Sequence, residues 1–306
     1  GTGPAATAAS GSRPRDRALT PPPGIPVANL ILSGSDSVAA APLALQTQAL
    51  TRRFGDHVVV DHLDLTVAEG EVFGLLGRNG AGKSTLIKML TTLLPPSSGI
   101  ARVEGLDVVS EATSVRAAIG YVPQALSADG ELTGYENLFV FASLYDIPRA
   151  ERAGRIAEAL AFMDLQDAAG RLVATYSGGM IRRLEIAQSM LHRPRLLFLD
   201  EPTVGLDPVA RDTVWAHIRE LRGKYETTIF MTTHYMEEAQ ALCSRFGILR
   251  AGRLVACGSL AELRAASGQP TATLDELFAH YTGESAEAAG AYGETSHARQ
   301  ASQRLA

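Results

Sequence analysis

Residues 72–90 read VFGLLGRNGAGKSTLIKML: an apolar run, a glycine-rich turn, and then apolar residues at helical spacing. Within it Gly77, Gly82, Lys83 and Ser84 fit the pattern G-x-x-x-x-G-K-[ST], placed between a strand and a helix as a phosphate-binding loop requires. The glycines let successive backbone N–H groups turn inward around a polyphosphate, and the helix N-terminus adds about half a positive charge. Lys83 is then the side chain that reaches the β and γ phosphates, and Ser84 the hydroxyl offered to Mg²⁺. Of 28 basic residues only Lys83, Lys88 and Lys224 are lysines. A chain that otherwise uses arginine keeps a compact ammonium where a planar guanidinium would be too wide.

Outward from this loop the texture alternates. HVVVDHLDLTV (57–67), RLLFLDEP (195–202) and TTIFMTTH (227–234) carry β-branched and apolar runs that predict strands, and KSTLIKMLTTLL (83–94) predicts a helix stopping at Pro95 and Pro96. From residue 126 to 174 the spacing is mostly helical, as in YENLFVFASLYDI and AGRIAEALAFMDL. The expected fold is an α/β core interrupted by a helical insertion, with no internal repeat.

The second strand ends in two carboxylates. Asp200 suits Mg²⁺, reached through water, and Glu201 suits acceptance of a proton from an attacking water. Paired acids are often only a solvated strand end; following four apolar residues and preceding Pro202, these read as the edge of an active site. His234 leaves the third strand at a point able to touch a γ-phosphate. By itself a lone histidine would carry little weight.

The formal charge of −5 gives no excess of basic residues, so a nucleic-acid partner is not expected. Cys243 and Cys257 fit neither a CxxC pair nor a zinc site and are expected to be small buried hydrophobes in a reducing compartment. No run approaches the ~18 apolar residues that would span a bilayer. Residues 1–44, rich in Ala, Ser, Gly and Pro, are expected to form a disordered leader; Arg13, Arg15 and Arg17 precede an apolar stretch too short and too broken for a signal peptide. Residues 284–306 are expected to be a flexible tail.

A second anion-binding turn lies at YSGGM (176–180), before MIRRLEIAQSMLHRP, whose Met180, Leu184, Ala187 and Leu191 share a face. An ordinary serine N-cap is its local reading. GRNGAGKST, Gln124 in GYVPQ, YSGGM, LLFLDEP, GLD (205–207) and His234 in TTHYMEEA together resemble, in order and spacing, the nucleotide-binding subunit of an ABC transporter over about residues 45–283. YSGGM, in place of a motif beginning with leucine and ending with glutamine, resembles the daunorubicin-resistance type of exporter, as do the LTGYENL and GLDP segments.

The resemblance implies a P-loop NTPase (RecA-like) α/β core with an antiparallel β subdomain and an inserted α-helical subdomain at about 127–176. It implies ATP and Mg²⁺ as ligands. ATP contacts carry over onto Phe54, Gly77, Asn79, Gly80, Ala81, Gly82, Lys83, Ser84 and Thr85, with Phe54 stacking on adenine. Ser177, Gly178 and Gly179 would cap the γ-phosphate of ATP held by a second subunit, and Asp207 would run across that homodimer interface. Gln124 carries over as the residue touching Mg²⁺ or the attacking water, with Ser84 and Asp200 at the metal and Glu201, His234 and Lys83 catalytic. Arg182 and Arg183 read as interface or solvated residues, the solvated reading being preferred. The implied partner is a transmembrane permease docking on the insertion, with the chain peripheral at the cytoplasmic face of the membrane. A soluble ABC-type ATPase in a non-transport process is the alternative; a generic P-loop kinase would leave YSGGM and GLD unexplained.

Overall fold

The computed structural model describes residues 42–283. The expected leader and tail lie outside them, except that Leu43 and Ala44 belong to the first strand rather than to a leader. Two sheets form. Strands β1 (Leu43–Phe54), β2 (His57–Ala68), β4 (Ser98–Val103) and β5 (Leu106–Asp107) make an antiparallel sheet in the order β2-β1-β4-β5. A six-stranded sheet runs β10 (Arg253–Gly258), β9 (Arg245–Arg250), β3 (Val72–Gly77), β8 (Thr228–Thr233), β7 (Leu196–Asp200), β6 (Ile119–Val122). In it β3 pairs in parallel with β8 and β9, and β7 in parallel with β6 and β8. Parallel pairing brings the C-terminal ends of β3, β7 and β8 to one edge, where α/β sheets hold their ligands.

Period-two alternation splits each central strand between two cores. Leu197 and Leu199 face the helices α5 (Gly178–Met190) and α6 (Pro208–Tyr225), while Leu196 and Phe198 face α1 (Lys83–Leu90) and the antiparallel sheet. Phe230 stacks on Phe73 and tilts against Phe198, both at 5.5 Å between ring centres. Helices α3 (Gly134–Leu144) and α4 (Arg149–Phe162) form the insertion between β6 and α5, and α3 starts on a capping box of Thr133 and Glu136.

Helix α1 ends at Leu90, short of the expected stop at Pro95. Thr91 turns its hydroxyl onto the Ile87 carbonyl at 2.9 Å and Thr92 enters the left-handed region at φ 63°, so the threonine pair, not the proline pair, breaks the helix. Both cysteines are half-buried and free. Burial pushes the Cys257 thiol up to about 11 and the Cys243 thiol well above its usual value, so neither is primed for thiolate chemistry.

Glu238, on α7 (Met236–Leu242), is fully buried and accepts hydrogen bonds from Thr203 Oγ1 at 2.6 Å and Trp215 Nε1 at 3.0 Å. It thereby ties α7 to α6 and to the segment leaving β7. Burial raises its carboxyl above the usual 4.5, against the hydrogen bonds that lower it. A folded-state value above the unfolded one means the folded chain binds the extra proton. Stability is therefore greatest below the unfolded value and declines as pH rises through the folded one. In urea titrations across pH 4.5–8, Glu238→Gln is expected to flatten that decline; a slope equal to the wild-type slope would assign it to another group.

Candidate functional site

The loop after β3 is shaped by its glycines. Gly80 and Gly82 sit at φ 82° and 108°, and a Cβ on Gly82 would meet the Val59 carbonyl oxygen at 2.7 Å. Only glycine fits there without displacing backbone. The loop delivers Lys83 to the sheet edge as the first residue of α1, buried, with its ammonium 2.7 Å from the Gly77 carbonyl oxygen and 3.3 Å from that of Arg78.

Residues at the ends of β7 and β8 gather beside that ammonium, and Glu201 touches it. Lys83 Nζ lies 3.0 Å from Glu201 Oε1, both side chains being buried. Glu201 Oε2 accepts from Gln124 Nε2 at 3.3 Å and lies 3.2 Å from His234 Nδ1. Burial pushes the Glu201 carboxyl up, but contact with His234 and the charges of Lys83 and His234 outweigh it and hold the group below the usual glutamate value. Its backbone is in the left-handed region at φ 49°, unusual for a side chain with a Cβ and a mark of local strain. The Glu201 N–H is held by Thr232, bonding its hydroxyl at 3.0 Å and its carbonyl at 3.1 Å.

Asp200 accepts from Ser84 Oγ at 3.3 Å and from Thr232 Oγ1 at 2.6 Å. A hydroxyl and a carboxylate side by side are part of the donor set a magnesium ion takes; it seldom has an all-protein cage. The described residues contain no cluster of three or more His, Cys, Asp or Glu able to hold a metal alone. The Gln124 amide bonds Glu201, and no hydrogen bond joins it to Ser84 or Asp200.

Six sequence-predicted residues thus meet: Lys83, Ser84, Gln124, Asp200, Glu201 and His234. Others stay apart. Phe54 ends β1, 48% exposed, with the Arg52 guanidinium 4.5 Å over its ring. Ser177 caps α5, accepting from Met180 N at 3.3 Å, and Asp207 caps α6, accepting from Ala210 N at 2.9 Å. Neither Ser177 nor its two glycines bonds Lys83, Ser84, Glu201 or His234. Gly179 is fixed by close approach, since a Cβ there would lie 2.7 Å from Ala210 Cβ.

The structure differs from the sequence expectation at Arg182 and adds Thr232 to the site. Arg182 is not solvated: it is 1% exposed, inside the site's support. Thr232 holds both acidic residues; β8 also carries Thr228 and Thr233, so no local signal in the sequence singles it out. Arg183 is half-buried and donates to the Met163 carbonyl at 2.8 Å.

A family model described as ABC transporter matches residues 60–204. A daunorubicin resistance ATP-binding protein of Streptomyces coeruleorubidus is 45% identical over 228 residues, covering 74% of this chain and 72% of that protein. The chain belongs to the ABC transporter family. The Nod factor export ATP-binding protein I of Rhizobium meliloti is also 45% identical, over 72% of this chain and 65% of its own length. A solved structure titled as the ATP binding subunit of an ABC transporter superposes with a TM-score of 0.71 at 31% identity, over 78% of this chain and 99% of that one. The fold is that of ABC ATPases: a P-loop NTPase core with parallel and antiparallel sheets and an inserted helical region. The family binds and hydrolyses ATP, and this chain is one of its ATP-binding subunits. Among the described residues no helix is long and apolar enough to cross a membrane.

Proposed function

We propose that the chain is a Mg²⁺-dependent ATPase that powers a separately encoded membrane permease and exports a drug-like or lipid-like compound. The convergence of Lys83, Ser84, Asp200, Glu201 and His234 on one sheet edge is the observation that carries this reading. Lys83 and the loop N–H groups bind and orient the triphosphate. Ser84 and Asp200 hold the magnesium ion, which supplies positive charge against the phosphate oxygens. Glu201 accepts the proton of the attacking water, and His234 and Gln124 keep its carboxylate oriented.

The Ser177 turn completes the site of a second copy. Its N–H groups open at the start of a 13-residue helix, and Ser177 and Gly178 are exposed. The chain is then a head-to-tail homodimer, peripheral at the cytoplasmic face of the membrane. Support for a permease partner comes from α3, where Tyr135, Phe139, Val140 and Leu144 are exposed apolar side chains on the insertion. The similarity to relatives named for daunorubicin resistance and Nod factor export supports export of a compound of that kind.

Two measurements test the dimer. Ser177→Arg is expected to bind ATP through its own loop yet hydrolyse it at least about tenfold more slowly, because the side chain blocks closure. Mixed dimers of wild-type chain and a tagged Lys83→Ala chain can then be photolabelled with an ATP analogue reactive at its γ-phosphate. Label in the Ser177–Arg183 peptide of the tagged chain, which cannot hold nucleotide itself, supports action across the interface. Label confined to the wild-type chain's own peptide overturns it.

A further inference from the structure

Helix α5 carries a buried ion pair that the reading above does not use. Arg182 and Glu185 stand one turn apart, 1% and 3% exposed, with Nη1 3.0 Å from Oε2. Both side chains reach the same loop. Arg182 donates to the carbonyls of Pro123 and Gln124, each at 2.7 Å. Glu185 Oε1 accepts from the Ser127 N–H, from Ser127 Oγ at 3.1 Å and from Ala128 N at 3.3 Å. Four backbone groups of residues 123–128, two carbonyls and two N–H groups, are therefore satisfied by one ion pair from one helix. This loop carries Gln124, whose amide reaches Glu201 at 3.3 Å.

Stability alone is a poor reason for such a pair. Burying two charges is costly, and apolar residues of similar volume commonly serve as well or better. A guanidinium fork that binds two successive carbonyls does something an apolar side chain cannot: it fixes where the backbone between them lies. Even here the Arg182 Nε has no hydrogen-bond partner among the described residues, a cost accepted for the geometry at the fork.

We propose that Arg182 and Glu185 are positioning residues that clamp the 123–128 loop to α5, so that displacement of the helix at its Ser177 end moves the Gln124 amide on and off Glu201. The inference rests on the ATPase reading and gives it a route of communication. Gln124 serves the nucleotide held by its own chain, Ser177 serves the partner's, and one rigid helix joins them. The two sites would then be coupled through Arg182 rather than through the nucleotide.

The test uses the full chain with both charges removed together. Arg182→Met with Glu185→Leu keeps the volume apolar and is expected to unfold in urea at or above the wild-type midpoint. Its KM for ATP should stay within about threefold while kcat falls at least about tenfold, the pattern of a lost transition-state interaction. Amide exchange at Ser127 and Ala128 should accelerate in parallel. A structural role alone predicts an unchanged kcat once stability is preserved, so wild-type kcat, or a change confined to KM, overturns the proposal. Should the double variant fail to fold, Arg182→Lys decides. Lysine has one nitrogen where arginine presents two, planar and fixed, to Pro123, Gln124 and Glu185, so kcat should drop with KM held; an unchanged kcat overturns it. A wild-type chain that neither binds nor cleaves ATP instead overturns the underlying ATPase reading.

Discussion

Replacing Lys83 by alanine is expected to lower ATP hydrolysis by about 100- to 1000-fold, the cost of deleting one preorganised charge from a phosphoryl-transfer site. Nucleotide affinity falls with it, because the loop presents this ammonium to the phosphates. The structure adds a consequence for stability. Lys83 and Glu201 are both buried and 3.0 Å apart, so the alanine variant leaves a buried carboxylate without its cation. A loss of about 1–3 kcal/mol is expected, less than for a fully isolated charge, since Gln124 and His234 remain beside it. Adding Glu201→Gln to Lys83→Ala should recover most of that stability and none of the activity. Urea unfolding and steady-state phosphate release read the two effects separately. Hydrolysis within threefold of wild type would remove Lys83 from the chemistry.

Glu201→Gln alone is expected to leave ATP bound and uncleaved, with turnover down about 100- to 10,000-fold, the range for loss of a positioned proton acceptor. Glutamine keeps the shape and can still accept from Lys83, but its amide cannot take a proton from water. ATP dissociation constants should stay close to wild type, and a closed, nucleotide-loaded dimer should accumulate in sedimentation experiments with Mg·ATP. On the proposed reading, the Lys83–Glu201 contact bears on Glu201 as the base. While the ammonium holds it, the carboxyl is kept below the usual glutamate value and is a weak base. A γ-phosphate that draws Lys83 away removes only its share of that stabilisation and leaves the His234 contact in place. A strictly monomeric Glu201→Gln protein with Mg·ATP would count against the closed dimer, and undiminished turnover against the base.

Much of this site was legible in the sequence, because the information is local. A strand, a glycine turn and a helix placed Lys83 and Ser84, since backbone conformations open only to glycine leave a mark in the residue types themselves. Four apolar residues ending in Asp200 and Glu201 placed the acids in the same way. What the residues determined alone was the phosphate loop, the strand ends and an α/β core with a helical insertion. The family resemblance supplied the antiparallel sheet and, as proposals, the roles of Phe54 and Asp207 and a second copy behind the Ser177 turn.

Packing decided the rest. Arg182 and Arg183 are identical neighbours in the sequence, yet one is buried against Pro123 and Gln124 and the other half-exposed over Met163. Nothing local distinguishes them, because α5 is covered on most of its circumference and the 100° step between successive residues sends them to different neighbours. The register of β7 against β8, which pairs Asp200 with Thr232, and the 116-residue separation closed by Ser84 and Asp200 are likewise properties of the sheet. Strand order is settled by which apolar faces bury each other best across the whole chain, a sum over distant contacts that no single segment of sequence contains.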